Sequence, residues 1–225
     1  MKATSKRIET VQAILIAIFA ALILRQFVIA AYKIPTSSME DTLLVGDFLL
    51  VNKFVYGARF PEWIGLPFTE DKDWIIPTGI HLPRSLQFRF PAITLPRQHD
   101  IVVFKAPRSP QLDFIKRCVA VGGQIVRVED RTVYVDDKPF SAPPMLKFQP
   151  GIIRRDFDSI LIEKEHYFMM GDNRDNSSDS REWGTVPREN IVGKPLIIYL
   201  SLNDKISERS LFDKIRWERL GMVVR

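Results

Sequence analysis

Ser38 and Lys116 are a serine and a lysine whose surroundings would let them exchange a proton without a histidine. Ser38 lies in Ile34-Pro35-Thr36-Ser37-Ser38-Met39, just after an apolar N-terminal segment. Lys116 lies in Asp113-Phe114-Ile115-Lys116-Arg117-Cys118-Val119-Ala120-Val121, which reads as a buried strand. A serine hydroxyl is a weak nucleophile until an adjacent base takes its proton, and a desolvated lysine can be that base. Burial disfavours the ammonium form and lowers the amine's pKa toward working pH. Alternation along a strand puts Phe114, Lys116 and Cys118 on one face, a dry setting in which no carboxylate is expected close by. Each segment alone has a plainer reading. Strand lysines usually reach water. Ser37 followed three residues later by Glu40, ahead of Leu43 and Leu44, fits a capping box at a helix start.

A third segment is the most specific: Gly171-Asp172-Asn173-Arg174-Asp175-Asn176-Ser177-Ser178-Asp179-Ser180-Arg181-Glu182-Trp183-Gly184. A calcium loop starting at Asp172 would put Arg174 at a ligand position and Trp183 where a bidentate glutamate belongs. A start at Asp175 puts Val186 there, so both registers fail. A Ser-His-Asp triad would have to draw on His81, His99 or His166, none of which has suggestive neighbours. Three isolated histidines have no zinc-site spacing, and the single cysteine, Cys118, excludes a multi-cysteine metal site.

The three segments together resemble the bacterial type I signal peptidases, or leader peptidases, membrane-bound Ser/Lys proteases that remove secretory signal peptides. A shorter match, Asp100-Ile101-Val102-Val103-Phe104-Lys105, is similar to a strand of that family, with His99 in place of the customary glycine before it. The resemblance implies that Ser38 is the nucleophile and Lys116 the general base. It implies an oxyanion hole made by the Ser38 amide and the Thr36 hydroxyl. Ser177 would orient the lysine amine, Asp179 and Arg181 would pair to brace the site, and Asp172 and Arg174 would support it. Tyr32, Ile34 and Ile115 would line the pockets for small substrate residues. No metal or cofactor is implied. The partners would be signal peptides of exported preproteins and the lipid bilayer. Ser37 departs from the glycine that many relatives carry there.

These residues must be positioned by strands. Asp47–Asn52, Asp100–Lys105, Asp113–Val121, Gln124–Val128, Thr132–Val135, His166–Met170 and Pro195–Leu200 are short, rich in β-branched or aromatic residues and bounded by turn formers. The expected fold is mainly β, an antiparallel β-sandwich or partly closed barrel preceded by one transmembrane helix. Residues 57–98 form a proline- and aromatic-rich insertion with six prolines, read either as a membrane-touching ribbon or as cover for a core edge. Residues 137–160 read as a polar insertion. Ser207–Leu220 reads as a helix docking through Leu211, Ile215 and Trp217.

From Thr10 to Tyr32 the chain is dominated by aliphatic residues and phenylalanine, long enough as a helix to cross a bilayer. Lys2, Lys6 and Arg7 precede it, and Arg25 can snorkel near its far end. The expected plan is a cytoplasmic tail (1–9), an anchor (10–32) and an extracytoplasmic peptidase domain (33–225), single-pass in the bacterial plasma membrane. A cleavable signal peptide ending near Ala30-Ala31 is the rival. A self-cleaving repressor would need a helical DNA-binding domain, and this sequence shows none; a membrane-anchored binding module is the non-enzyme alternative. The chain has 225 residues and a net charge of +5, with 27 acidic residues mixed among the basic ones. Such scattered charge gives no nucleic-acid footprint and suits an anionic membrane surface equally well.

Overall fold

The computed structural model describes residues 2–60, 63–65, 79–83, 88–141, 146, 148, 156–203 and 211–225. Helix α1 (Lys2–Phe27) opens the chain, and its apolar side chains from Ile8 to Leu24 stand exposed. The helix stops short of the expected 10–32 segment. The Lys53 amine donates to the Gln26 carbonyl at 3.2 Å, satisfying a C-terminal acceptor, and the chain passes at once into strand β1 (Ile29–Lys33). Backbone pairing outcompetes helix propensity here, because every residue from Ile29 to Lys33 is registered antiparallel against β2 (Asp47–Asn52).

Ten further strands complete the described β-structure after the small β3 (Trp63–Gly65). They are β4 (Gly79–His81), β5 (Ile101–Ala106), β6 (Ser109–Val121), β7 (Ile125–Glu129), β8 (Thr132–Val135), β9 (Lys138–Pro139), β10 (Phe157–Leu161), β11 (His166–Met170), β12 (Val186–Pro187) and β13 (Ile191–Ser201). A seven-stranded antiparallel sheet has the order β1-β2-β13-β5-β6-β11-β12, and a smaller sheet has the order β10-β7-β8-β9. Strands β3 and β4 pair with each other inside the 57–98 insertion. The polar 137–160 segment contributes β9 and the start of β10 to the smaller sheet.

Strand β5 explains how the large sheet is covered on both faces. Ile101 and Val103 enter a core with Ile34, Met39, Leu43, Leu49, Val51 and Ile198, while Val102 and Phe104 enter another with Tyr56, Cys118 and Met169. A strand buried on both faces loses the polar alternation seen in β2, where Asp47, Leu49 and Val51 are buried and their neighbours are half-buried. The smaller sheet closes a third core through Val126, Val128, Val133 and Val135 against Phe168 and Met170.

The sheet also curls. Strands β1 and β6 are four neighbour spacings apart, about 19 Å in a flat sheet. Yet Ile34, just past β1, shares a core with Ile101 on β5, and Ile115 on β6 packs against that core. Register shifts along β13, between Pro195 and Ile197 and between Ile198 and Leu200, are the bulges that permit this bending.

The C-terminal segment docks differently from the expectation of an apolar helix face. Helix α3 (Leu211–Lys214) is a single turn, Phe212 and Trp217 stay exposed, and residues 207–210 lie outside the described residues. Half-buried Ile215 bridges to Leu202, Val223 bridges to Ile197 and Val224 enters the core; to these the Arg219 guanidinium adds donation to both oxygens of buried Asp47 at 3.0 and 2.6 Å. Arg216 adds bonds to the Ser201 hydroxyl and the Val45 carbonyl.

Candidate active site

Ser38 lies in a run of turns between β1 and β2, and Lys116 lies within β6. Their Oγ and Nζ atoms are 2.5 Å apart, and the residues are 7% and 5% exposed. The lysine amine also sits 5.7 Å from the Phe114 ring centroid, and Cys118, two residues on, is fully buried. The expected helix start at Ser37 is not formed. Asp41 adopts φ 74°, a left-handed conformation that interrupts any helix. Ser37 and Glu40 do not cap a helix; both accept hydrogen bonds from the third segment.

Burial is the main influence on Lys116, pulling its pKa from 10.5 down to about 8. The expectation of no nearby carboxylate needs correction, because Asp179 and Asp172 both act on the amine and raise its pKa. They do not reverse the shift, since each is already matched to a guanidinium. Arg181 grips Asp179 through Nε and Nη2, both at 2.8 Å. Arg117, the residue next to the lysine, grips Asp172 at 2.8 and 2.7 Å. These are fork-to-fork pairs, which hold geometry as well as charge. Asp172 is thus partnered by Arg117 rather than by Arg174, and it also accepts from the Thr42 hydroxyl at 2.7 Å. Arg174 is buried, with its pKa lowered to about 10 by desolvation first and by Arg181 second, and its carbonyl accepts from Arg181 Nη2 at 2.6 Å.

The third segment forms the wall behind the serine. The Asn173 amide donates to the Ser38 carbonyl at 3.1 Å, and the Asn173 side chain donates to the Ser37 carbonyl at 3.1 Å and to Glu40 at 3.3 Å. Asn176 donates to the Ser37 hydroxyl at 2.9 Å, a contact that a glycine there would lack. Gly171 permits this approach. A Cβ on it would lie 2.3 Å from Ser177 Oγ and 2.5 Å from the Ser38 carbonyl, closer than atoms can pack. Ser177 is buried against that glycine. The Gly171 amide donates to Asp179, which also caps the short helix α2 (Ser180–Trp183) by accepting from the Arg181 amide.

Of the remaining predicted residues, Tyr32, Ile34 and Ile115 belong to one apolar cluster, with Tyr32 and Ile115 half-buried and Ile34 buried. Thr36 is exposed two residues before Ser38. Among the described residues the Ser38 amide donates to no backbone carbonyl. His99 stacks on the Phe140 ring, and His166 faces the Lys164 carbonyl. Sequence reasoning gave no role to Asn173, Asn176, Gly171 or Thr42. The asparagines looked like turn formers, and partners more than 130 positions away left no local signal.

A serine hydroxyl in contact with an amine of depressed pKa is an arrangement suited to acyl transfer. Over residues 7–200 the chain matches the protein family described as Signal peptidase, peptidase S26. It is 34% identical to a signal peptidase I of Pseudomonas aeruginosa, covering 88% of this chain and 74% of that one. It is 33% identical to a signal peptidase I of Pseudomonas fluorescens, with the same coverage of each chain. Among solved structures it is similar to a signal peptidase I from Enterococcus faecalis, at 27% identity and a TM-score of 0.40, covering 45% of this chain and 97% of that one.

Proposed function

Because the chain belongs to the signal peptidase family, peptidase S26, we propose that Ser38 and Lys116 are the nucleophile and general base of its peptidase reaction. The chain is a serine endopeptidase that removes N-terminal signal peptides from preproteins. The observation that carries the residue assignment is the 2.5 Å approach of a buried amine to a buried hydroxyl. Lys116 as free amine takes the Ser38 proton while Oγ forms a bond to the scissile carbonyl carbon. The tetrahedral intermediate collapses as the ammonium returns that proton to the leaving amine, giving an ester between Ser38 and the signal peptide. Lys116 then takes a proton from water, hydroxide adds to the ester, and the proton returns to Ser38. The Ser38 amide and the Thr36 hydroxyl stabilise the oxyanion in both halves. Ser177 orients the amine, and the Asp179–Arg181 pair holds the wall from which it projects. Tyr32, Ile34 and Ile115 form apolar walls that admit only small substrate side chains.

Helix α1 anchors this domain in the membrane, with Lys2, Lys6 and Arg7 on the cytoplasmic side and residues from Lys33 onward outside the cytoplasm. The 20-residue span Ile8–Phe27 is long enough for about 30 Å of hydrocarbon. A permanent anchor suits the fold better than a cleaved leader, because a cut after Ala30 or Ala31 would divide β1.

Ser38→Ala and Lys116→Ala should each abolish preprotein cleavage in reconstituted vesicles, with circular dichroism and membrane insertion unchanged. The double variant should be little worse than either single one, because the groups act as a unit. Retention of more than about a tenth of the activity in either single variant would disprove the assignment.

A further inference from the structure

Guanidinium and carboxylate groups pair off through the wall behind Ser38, and the pairing leaves one guanidinium over. Arg117 holds Asp172, Arg181 holds Asp179, and Arg131 reaches Asp175 at 3.8 Å. Arg174 stands in the same segment and is only 3% exposed. Among the described residues its side chain makes no ion pair, and its buried Nε–H meets no acceptor. Desolvation, with Arg181 second, lowers its pKa only to about 10, so the group stays a cation at neutral pH. It does not escape the interior by losing a proton, and a buried charge without a partner is costly. Residues 142–155, which flank Phe148 in the sequence, contain no aspartate or glutamate to balance it.

Arg174 borders a small cavity whose lining narrows the choice of counter-ion. Arg131, Arg174, Arg181 and Asp175 line it together with the apolar Phe148 and Met170. The Arg131 guanidinium is seated 5.3 Å from the Phe148 ring centroid. The cavity measures about 10 Å³, room for one occupant the size of a water molecule or a halide. Phosphate, sulfate and carboxylate groups are too large for it. A water molecule would fill the space without supplying charge. Its hydrogens would also lack acceptors, because arginine only donates. Among the described residues the lining offers one carboxylate, Asp175, and Arg131 already engages it. A halide accepts from several N–H donors at once and tolerates the apolar side of the cavity.

We propose that this cavity binds one chloride ion as the counter-ion of Arg174, completing the charge balance of the wall behind the nucleophile. The path from the ion to that wall is short. The Arg174 carbonyl accepts from Arg181 Nη2 at 2.6 Å, and Arg181 grips Asp179 at 2.8 Å. Asp179 in turn accepts from the amide of Gly171, the residue packed on the Ser38 carbonyl. An ion that seats Arg174 therefore steadies the segment against which Ser38 is set.

The test uses the full chain in detergent micelles, with sodium gluconate exchanged stepwise for sodium chloride at constant ionic strength. The thermal unfolding midpoint should rise by about 3 °C and then level off as the site fills. A general effect of salt on burial would instead continue with concentration. Crystals grown in sodium bromide should show an anomalous-scattering peak within hydrogen-bond reach of Arg174 Nε. Arg174→Met removes the charge and should abolish the chloride-dependent rise. If that variant does not fold, the bromide peak in the parent protein decides. A midpoint indifferent to chloride, a bromide crystal with no peak at Arg174, or a rise that persists in Arg174→Met would each overturn the proposal.

Discussion

The amine of Lys116 carries an energetic cost that can be measured. Its pKa of about 8 in the fold, against 10.5 outside it, corresponds to about 3 kcal/mol between the two protonation states. The folded chain prefers the neutral amine, so above pH 10.5 the group costs nothing. Between 10.5 and 8 the unfolded chain binds the proton first, and stability declines as pH falls; below 8 both states are protonated and the loss is complete. Urea unfolding across that window should show this slope, and Lys116→Met should flatten it. Turnover should rise with pH through about 8 as the free amine forms. Because Asp179 holds the pKa up while Arg181 pushes it down, Asp179→Asn should move the rising limb to lower pH. A limb that stays in place in an active, folded Asp179→Asn variant would mean that another group titrates.

Among the elements, the decisive contact is where the loop after β11 meets the turns after β1. Gly171→Ala puts a methyl group onto both Ser177 and the Ser38 carbonyl, so wall and turn must separate. Overpacking of this kind costs about 1–3 kcal/mol, and the displaced nucleophile should lower kcat about a hundredfold. Equal kcat for Gly171→Ala and the parent protein on a short peptide would contradict it. The strands themselves were legible in the sequence. Thr132–Val135 and His166–Met170 match to the residue; Asp130 and Asp136 bracket the first, and Gly171 ends the second. Strand β1 was not legible, because Ile29-Ala30-Ala31-Tyr32 continues the apolar composition of the helix before it; only the pairing with β2 separates the two. The Ser37–Glu40 capping box failed for a related reason. Its hydrogen-bonding groups are taken by Asn173 and Asn176, partners that local spacing cannot reveal. Ser38 and Lys116 could be picked out by residue type and by resemblance, but their approach needed a curled sheet; Pro195 marks one bulge in β13, yet local pattern does not say which way the sheet bends.

At the scale of the whole molecule, the ends of the catalytic domain are tied by charge. Asp47 is fully buried, and without Arg219 it would keep only the Arg216 guanidinium at 3.6 Å and the Ser201 hydroxyl, besides the Leu44 amide. Arg219→Ala should therefore destabilise the domain by about 3 kcal/mol, less than a fully stranded charge would cost at the upper end. A shift in the urea midpoint with unchanged slope is the expected readout. The Arg219–Asp47 pair spans 172 positions, Asn176 meets Ser37 across 139, and Lys116 meets Ser38 across 78. Contacts so distant along the chain carry a large loop-closure cost and slow folding. A growing chain consequently assembles this site only after segments far apart in sequence have met, so the half-made protein stays silent. In stopped refolding, cleavage activity should return in the slowest phase, together with burial of Asp47 rather than with the first gain of strand signal.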